Sequence, residues 1–298
     1  MYDTFPSRNP ASLNPAPSAL AFLARLLAAV LLPFLSGCNL ERGFIFPGTA
    51  THGRADTLVP PSPHYELVSL TTRSGTPAIA QFGAALDHRG RALSPASRPT
   101  LIFFYGNGSC LAYTQREFDA FRRLGLNVLI PEYPGYGISP GDSPGEDSFY
   151  ETADAAYDYL LSRPDIDRAR IVAGGWSMGA AVALDLASRR PVSHVFTVSA
   201  FTSMHAVAKL VAPWAPTSLL IRSRFDNLAK LPAISAPLLL FHGERDTLVP
   251  VAMSATLAAH AKPDQARVIT FPGVGHNDIF TLAGPAILNR LRDFLALP

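Results

Sequence analysis

The chain has 298 residues, 48% of them hydrophobic, which suits a single large domain with an ample core. Its 25 basic and 23 acidic residues nearly balance and form no basic stripe, which excludes a protein that binds the backbone of nucleic acids. Two cysteines cannot build a disulfide framework, so the fold must depend on its core. The sequence shows no metal-ligand cluster, phosphate-binding loop, heptad pattern or internal repeat. We therefore expect neither a metal nor a cofactor.

The first predicted element is a short apolar segment near the N-terminus. Residues 26–35 carry no charge and follow Arg25, but a helix that spans a bilayer needs about 20 apolar residues. The length of the segment is typical of the core of a signal peptide. The four residues Leu35-Ser36-Gly37-Cys38 resemble the bacterial lipobox, in which the cysteine is lipidated and becomes the new N-terminus. An unprocessed signal or an N-terminal anchor helix remains the alternative.

This pattern divides the chain into three parts. Residues 1–37 form the predicted signal peptide, and residues 38–63, rich in Gly, Pro and Thr, form a tether with little periodic structure. Residues 64–298 form the domain. We expect a monomer that is held to a membrane of the bacterial cell envelope through Cys38, on the periplasmic or extracellular face.

The domain alternates between apolar runs and helical stretches. A hairpin is predicted at 65–70 and 78–86, followed by strands near 100–104, 127–131, 170–174, 194–198, 236–241 and 267–271. Helices are predicted near 114–124, 147–162, 178–189, 251–261 and 279–295. The pattern predicts an α/β fold, a mostly parallel eight-stranded sheet with helices on both faces. The longer stretch 200–235 is expected to form a small cap, whose apolar residues either line a pocket or pack on the sheet.

A glycine-rich loop follows the predicted strand at 100–104. Its sequence, Tyr105-Gly106-Asn107-Gly108-Ser109, is small enough for backbone amides to approach a ligand closely. Such a loop supplies one of the two N–H donors that stabilise the oxyanion of an acyl-transfer reaction. We predict the Asn107 N–H as that donor, with Gly108 as the nearest alternative.

A second glycine pattern, Gly175-Trp176-Ser177-Met178-Gly179, lies between a short apolar run and an alanine-rich helix. This context is the one that a nucleophile elbow requires, because the serine must project from a tight strand-to-helix turn. Taken alone the five-residue match is weak. With its neighbours it predicts Ser177 as a nucleophile and the Met178 N–H as the other oxyanion donor.

An acid and a base follow in the order that this architecture needs. Asp246 comes just after the predicted strand at 236–241, and His276 lies on a glycine-containing loop after the strand at 267–271. Both would face the carboxyl edge of the sheet, where ligands bind. Asp226 is the second candidate for the acid. His242, which ends a strand, is expected to bond to nearby backbone, and His194, His205 and His260 are also expected to be structural. His52, His64 and His88 come too early in the chain to fit the order.

Four blocks follow one another in the chain: residues 105–109, 132–139, 175–179 and 242–246. In this order they resemble the α/β-hydrolases, and most closely the serine aminopeptidase-like proteins and the α/β-hydrolase-domain protein depalmitoylases. The second block is Glu132-Tyr133-Pro134-Gly135-Tyr136-Gly137-Ile138-Ser139, and the resemblance spans roughly residues 64–298. It implies a triad of Ser177, Asp246 and His276. The chain departs from the family at Tyr105, where histidine is usual, and at Pro134, where arginine is common, so the oxyanion loop is expected to be held differently.

The expected reaction is a two-step acyl transfer through an acyl-enzyme on Ser177, without a cofactor. The resemblance and the membrane tether favour carboxylic esters or thioesters of acyl chains as substrates. Peptide cleavage is a second reading. A membrane-anchored lipoprotein that keeps the fold only to bind other molecules is a third, since a fold does not fix a function.

Overall fold

The computed structural model describes residues 43, 45–141 and 144–297, with the backbone alone at Leu219. The predicted signal peptide and Cys38 lie outside the described residues. Within the described ranges, no helix combines the length and the apolar character that crossing a bilayer would need.

The core of the domain is one sheet of eight strands. The strands are β1 Glu66–Thr71, β2 Pro77–Gly83, β3 Thr100–Phe104, β4 Asn127–Pro131, β5 Ile171–Trp176, β6 His194–Val198, β7 Leu238–Gly243 and β8 Ala266–Phe271. They lie in the order β1-β2-β4-β3-β5-β6-β7-β8. The pairings β1–β2 and β2–β4 are antiparallel and all others are parallel. The predicted fold class, an α/β-hydrolase fold with a mostly parallel sheet, is confirmed.

Eight α-helices connect the strands in the described part of the chain. They are α1 Gln115–Leu124, α2 Glu146–Ser162, α3 Met178–Arg189, α4 Met204–Val211, α5 Thr217–Leu220, α6 Ala252–His260, α7 Ile279–Leu282 and α8 Gly284–Phe294. The single helix predicted at 279–295 is wrong, because α7 and α8 are separated at Ala283. Pro285, in the first turn of α8, has no N–H to continue the hydrogen-bond ladder of α7.

The two faces of the sheet are covered by different helices, as β5 shows. A Cβ on Gly174 would meet the ring of Phe196, which also packs against Phe121 of α1. The next residue, Gly175, points to the other face, where a Cβ would lie 2.1 Å from the Gly179 carbonyl oxygen in α3. The glycines of β5 therefore let an aromatic cluster approach from one side and α3 from the other.

Residues 45–59 differ from the predicted tether, because they pack on the domain. Phe46 is 1% exposed and contacts the Phe149 ring edge-on, with the centroids 5.3 Å apart. The Gly137 amide donates a 2.9 Å hydrogen bond to the Thr51 hydroxyl. Two short 3-10 helices, Pro47–Thr51 and Ala55–Thr57, complete the segment. A free tether is thus wrong for this stretch, since apolar and hydroxyl side chains without helical or strand periodicity still find partners on the domain.

The insertion between β6 and β7 holds α4 and α5. Its C-terminal end is fixed by the Glu146 carboxylate at the start of α2, which accepts hydrogen bonds from the Arg224 and Phe225 amides at 2.6 and 2.9 Å. The insertion lies beside Ser177, which follows β5, since Met204 and Val207 of α4 line the same pocket as Ser177.

Candidate active site

Ser177 forms the sharp turn between β5 and α3. Its φ of 55° lies in the left-handed region, which is unusual for a residue with a side chain and is typical of strained functional turns. The turn is possible because both neighbours two residues away are glycines. A Cβ on Gly179 would lie 2.0 Å from the Phe104 carbonyl oxygen, and one on Gly175 would collide with the Gly179 backbone. The geometry is that of the predicted nucleophile elbow.

The structure brings the three predicted side chains of the triad together. His276 Nε2 lies 3.0 Å from Ser177 Oγ, and His276 Nδ1 lies 2.7 Å from Asp246 Oδ2. The residues come from the ends of β5, β7 and β8, at the carboxyl edge of the sheet. The distances suit a base that takes the serine proton while its other nitrogen is held by the carboxylate.

The carboxylate of Asp246 is buried and held from several sides. Its Oδ1 accepts hydrogen bonds from the Leu248 and Val249 amides at 3.0 and 2.7 Å. Burial disfavours the ionised form, but the hydrogen bonds from His242 and His276 and from the Val249 amide outweigh it, and the pKa of Asp246 lies well below its ordinary value. Asp246 is therefore ionised at neutral pH, as an orienting acid must be.

His242 has a contact that the sequence did not indicate. Its Nε2 lies 2.8 Å from the Val249 carbonyl, as expected for a structural histidine, and its Nδ1 lies 2.7 Å from Ser254 Oγ. The same Nε2 is 3.3 Å from Asp246 Oδ2. The only sequence signal for this contact is the spacing of four residues between the two. His242 thus contacts the same carboxylate oxygen of Asp246 as His276 does.

The second candidate acid lies elsewhere. Asp226 is exposed, and its carboxylate accepts a 3.2 Å hydrogen bond from the Ala229 amide, which is a turn interaction. His205 and His260 bond to the backbone carbonyls of Ile221 and Thr256. In the part of the chain that the structure describes, no group of three His, Cys, Asp or Glu side chains is placed to hold a metal ion.

The predicted oxyanion loop, residues 105–109, lies directly against Ser177. Asn107 and Met178, the two predicted donors, line the same pocket as Ser177, and a Cβ on Gly106 would lie 3.4 Å from Ser177 Cβ. The Asn107 side chain fixes the loop. Its Oδ1 accepts hydrogen bonds from the Tyr136 hydroxyl at 3.0 Å and from the Gly108 amide at 3.1 Å, and its Nδ2 donates to the Ile45 carbonyl.

Removing the Tyr136 hydroxyl should loosen this loop. We expect Tyr136→Phe to lower kcat about tenfold with little change in KM, because a misplaced amide matters only once the oxyanion forms. Steady-state kinetics on a soluble ester measure both constants. Tyr157→Phe is the matched control, since its hydroxyl donates to the Pro191 carbonyl on another part of the surface. A raised KM with unchanged kcat would contradict this role for Tyr136.

The chain's departure from the family at Tyr105 is explained by a second residue. The buried Tyr105 hydroxyl donates to Glu132 Oε1 at 2.8 Å and accepts from the Tyr133 amide at 3.1 Å. Tyr105 and Glu132 thus contact each other beneath the loop. The Glu132 carboxylate also accepts from the Leu111 and Ile138 amides. Burial nevertheless raises its pKa to about 7, against the lowering effect of these hydrogen bonds.

This raised pKa predicts a pH-dependent contribution to stability. Because the pKa of Glu132 is about 7 in the folded chain against an ordinary 4.5, the folded state keeps a proton that the unfolded state releases in between. Its contribution to the free energy of unfolding is full below the ordinary pKa and is lost as the pH rises through about 7. Glu132→Gln cannot titrate.

We therefore expect the free energy of unfolding of wild type to fall by about 2 to 3 kcal/mol relative to that of Glu132→Gln between about pH 5 and about pH 8. Urea unfolding of both proteins at the two pH values measures the difference. A difference that is constant, or that grows in favour of wild type as the pH rises, would contradict the raised pKa.

A cavity of about 410 Å³ opens above the triad. Most of its walls are apolar side chains, contributed by the N-terminal segment, by the insertion and by the loop after β7; they include Ile45, Pro47, Phe201, Met204, Val207 and Leu248. Among the described residues that line it, none is Asp, Glu, Lys or Arg. The predicted cap thus contributes pocket walls, and the pocket suits an uncharged, apolar group.

Comparisons with known proteins agree with the observed fold. Residues 104–227 match the profile of the alpha/beta hydrolase family. An uncharacterized protein of Mycobacterium tuberculosis is 36% identical over 202 residues, which are 68% of this chain and 71% of that protein. Protein bem46 of Schizosaccharomyces pombe is 29% identical over 94% of this chain and 92% of its own length.

Solved structures of esterases share the fold. An acetyl xylan esterase from Paenibacillus sp. R4 superposes with a TM-score of 0.65 at 18% identity, over 80% of this chain and 86% of that chain. The Pyrococcus furiosus esterase Pf2001 gives a TM-score of 0.64 at 19% identity, over 80% of this chain and 94% of that chain.

Proposed function

The chain belongs to the alpha/beta hydrolase family, and from this premise we propose that it is a serine hydrolase that cleaves carboxylic ester or thioester bonds of acyl substrates. The observation that carries the proposal is the 3.0 Å contact between Ser177 Oγ and His276 Nε2, with His276 Nδ1 held by Asp246. Esterases among the structural neighbours support hydrolysis in general.

In the proposed mechanism, His276 takes the Ser177 proton while Oγ attacks the carbonyl carbon of the substrate. The imidazolium, stabilised by ionised Asp246, then protonates the leaving group as the carbon–oxygen or carbon–sulfur bond breaks. A water molecule gives a proton to His276 and attacks the acyl-enzyme, and the proton returns to Ser177 as the acid leaves. The balance needs only water and the three side chains.

Two backbone amides complete the proposed mechanism. The Met178 and Asn107 N–H groups stabilise the oxyanion of each tetrahedral intermediate, at about 3 to 4 kcal/mol per donor. Their positions at the pocket wall beside Ser177 support this role. The hydrogen bonds that Tyr136 and Ile45 make with the Asn107 side chain hold the loop before charge develops.

The pocket favours an acyl ester over an N-terminal peptide, which is the second candidate substrate. A free α-amino group carries a positive charge and needs a carboxylate partner when it is taken out of water. The described lining residues include no Asp or Glu. Met204, Val207 and Phe201 instead offer an apolar surface to an acyl chain.

A fluorophosphonate probe tests the nucleophile and a substrate panel tests the bond. We expect the probe to label the wild-type chain on one serine, which peptide mass spectrometry should assign to Ser177. Acyl esters and thioesters should be hydrolysed faster than aminoacyl anilides. Labelling of any other serine, or of none, would contradict the proposal; the second result would favour a binding protein that keeps the fold.

We propose in addition that the chain is a bacterial lipoprotein, anchored through Cys38 in a membrane of the cell envelope. The support is the sequence Leu35-Ser36-Gly37-Cys38 after an apolar core. In a bacterial host fed an alkyne-labelled fatty acid, the wild-type chain should incorporate the label. Cys38→Ala should incorporate none, and equal labelling of both would contradict the anchor.

A further inference from the structure

The insertion that walls the pocket also exposes large apolar side chains to solvent. Trp214 is 87% exposed, Val211 53%, Leu210 51% and Leu220 44%. We call these four residues the cap surface. Single exposed leucines are ordinary, but a tryptophan and three aliphatic residues within one short insertion mark a site of contact with another apolar phase.

The cap surface is continuous with the mouth of the catalytic pocket. Met204, Val207 and Val211, which follow one another at helical spacing on α4, line the pocket, and Val211 is also exposed. Leu248 lines the pocket as well and is 46% exposed. A molecule that leaves an apolar phase at the cap surface therefore meets the pocket without crossing a polar surface.

The charge of the insertion favours one kind of apolar phase. The stretch 204–225 carries Lys209, Arg222 and Arg224 and no acidic residue. A cationic segment with a tryptophan and aliphatic side chains has the composition of an element that lies in the headgroup region of an anionic bilayer.

We propose that the cap surface docks on an anionic lipid bilayer, with Trp214 and Leu210 in the acyl boundary and Lys209 among the headgroups. Docking in this orientation turns the pocket mouth to the bilayer, so that acyl substrates enter from it. The docking stands on the cap surface alone, and only the delivery of substrate rests on the proposed hydrolase function.

Vesicle binding tests the docking without any catalysis. The full chain carrying Cys38→Ala, which has no cysteine to lipidate at that position, is mixed with vesicles of phosphatidylcholine alone or of phosphatidylcholine with an equal amount of phosphatidylglycerol. Bromine-labelled lipids quench the fluorescence of a tryptophan that enters the bilayer. Because the chain has two tryptophans, the part of the quenching that disappears in Trp214→Phe is the part that comes from Trp214. We expect quenching of Trp214 emission, stronger with phosphatidylglycerol.

Substitutions separate the apolar from the ionic contribution. We expect Trp214→Ala and Leu210→Ser each to weaken binding about tenfold, and Lys209→Glu to weaken it about tenfold for phosphatidylglycerol vesicles only. Leu67→Ser is the matched control, because Leu67 is 41% exposed on the edge strand β1, at the far end of the sheet from the insertion. Thermal unfolding of every variant shows that it is folded.

Three outcomes would overturn the proposal. The first is unquenched Trp214, and the second is equal weakening by Leu67→Ser and Leu210→Ser. The third is a dimer in sedimentation velocity instead of a single 31.9 kDa chain, if Trp214→Ala dissociates that dimer. A second copy of the chain would then cover the cap surface. Ser177→Ala should bind vesicles as wild type does. A wild-type chain that docks but hydrolyses no ester or thioester would refute the proposed function and leave the docking intact.

Discussion

Ser177→Ala should lower kcat for ester hydrolysis by about 10⁶-fold and abolish fluorophosphonate labelling. The substitution removes only Oγ, which is the atom that attacks the carbonyl and the partner of His276 Nε2 at 3.0 Å. No other group at the described pocket can form the acyl-enzyme. The folded state should be unaffected, because alanine keeps the Cβ that this position already carries at φ 55° and the elbow is held by glycines 175 and 179.

The chain offers a close control for this variant. Ser199 follows β6, has a φ of 51° and is buried, and its hydroxyl has no hydrogen-bond partner among the residues that the structure describes. Ser199→Ala therefore makes the same chemical change at a similar backbone conformation, and labelling and kcat should stay within about twofold of wild type. If Ser199→Ala abolishes labelling, or if Ser177→Ala retains it, the nucleophile is not Ser177.

Asp246→Asn should lower kcat by about 10⁴-fold at neutral pH. The asparagine can still accept the hydrogen bonds from the Leu248 and Val249 amides through one oxygen, so the loop after β7 should keep its shape. The amide that then faces His276 Nδ1 is a donor, which forces the tautomer whose Nε2 carries the proton. Nε2 can no longer take the proton of Ser177, and nothing stabilises the imidazolium.

Asp226→Asn separates this effect from a general loss of negative charge. Asp226 was the other acid that the sequence offered, and its exposed carboxylate only closes a turn at Ala229. Its substitution should change kcat by no more than about twofold. The rate of fluorophosphonate labelling gives a second measurement that does not depend on the choice of substrate. Comparable losses in the two variants would contradict the assignment of Asp246.

Much of this arrangement is visible in the sequence because β-strands and glycine turns leave local patterns. The predicted limits of β3, β4 and β6 match the structure, since each is a short run made mostly of apolar and β-branched residues. The predicted end of β5 at 174 is two residues short of Trp176. There the glycines indicate a turn, whereas in the structure they make room for the Phe196 ring and for α3.

The rest depends on contacts between distant residues, which leave no local pattern. Nothing in the composition of 45–59 distinguishes a tether from a packed segment; the difference is made by Phe46 meeting Phe149, and by Gly48 lying where any Cβ would strike the Tyr136 ring. The pairing of Tyr105 with Glu132 joins residues 27 apart in the chain. Neither residue alone indicates this contact, and only the fold brings the two side chains together.

The packed N-terminal segment belongs to the smallest complete domain of this chain. Ile45 and Pro47 belong to the wall of the catalytic pocket, and the Ile45 carbonyl is the acceptor for the Asn107 side chain. A polypeptide started at residue 64, where strand periodicity begins, would keep every triad side chain and still lack one side of its substrate chamber. Expression and engineering of this protein should therefore retain the residues from 45 onward, although they precede the 104–227 stretch that matches the family.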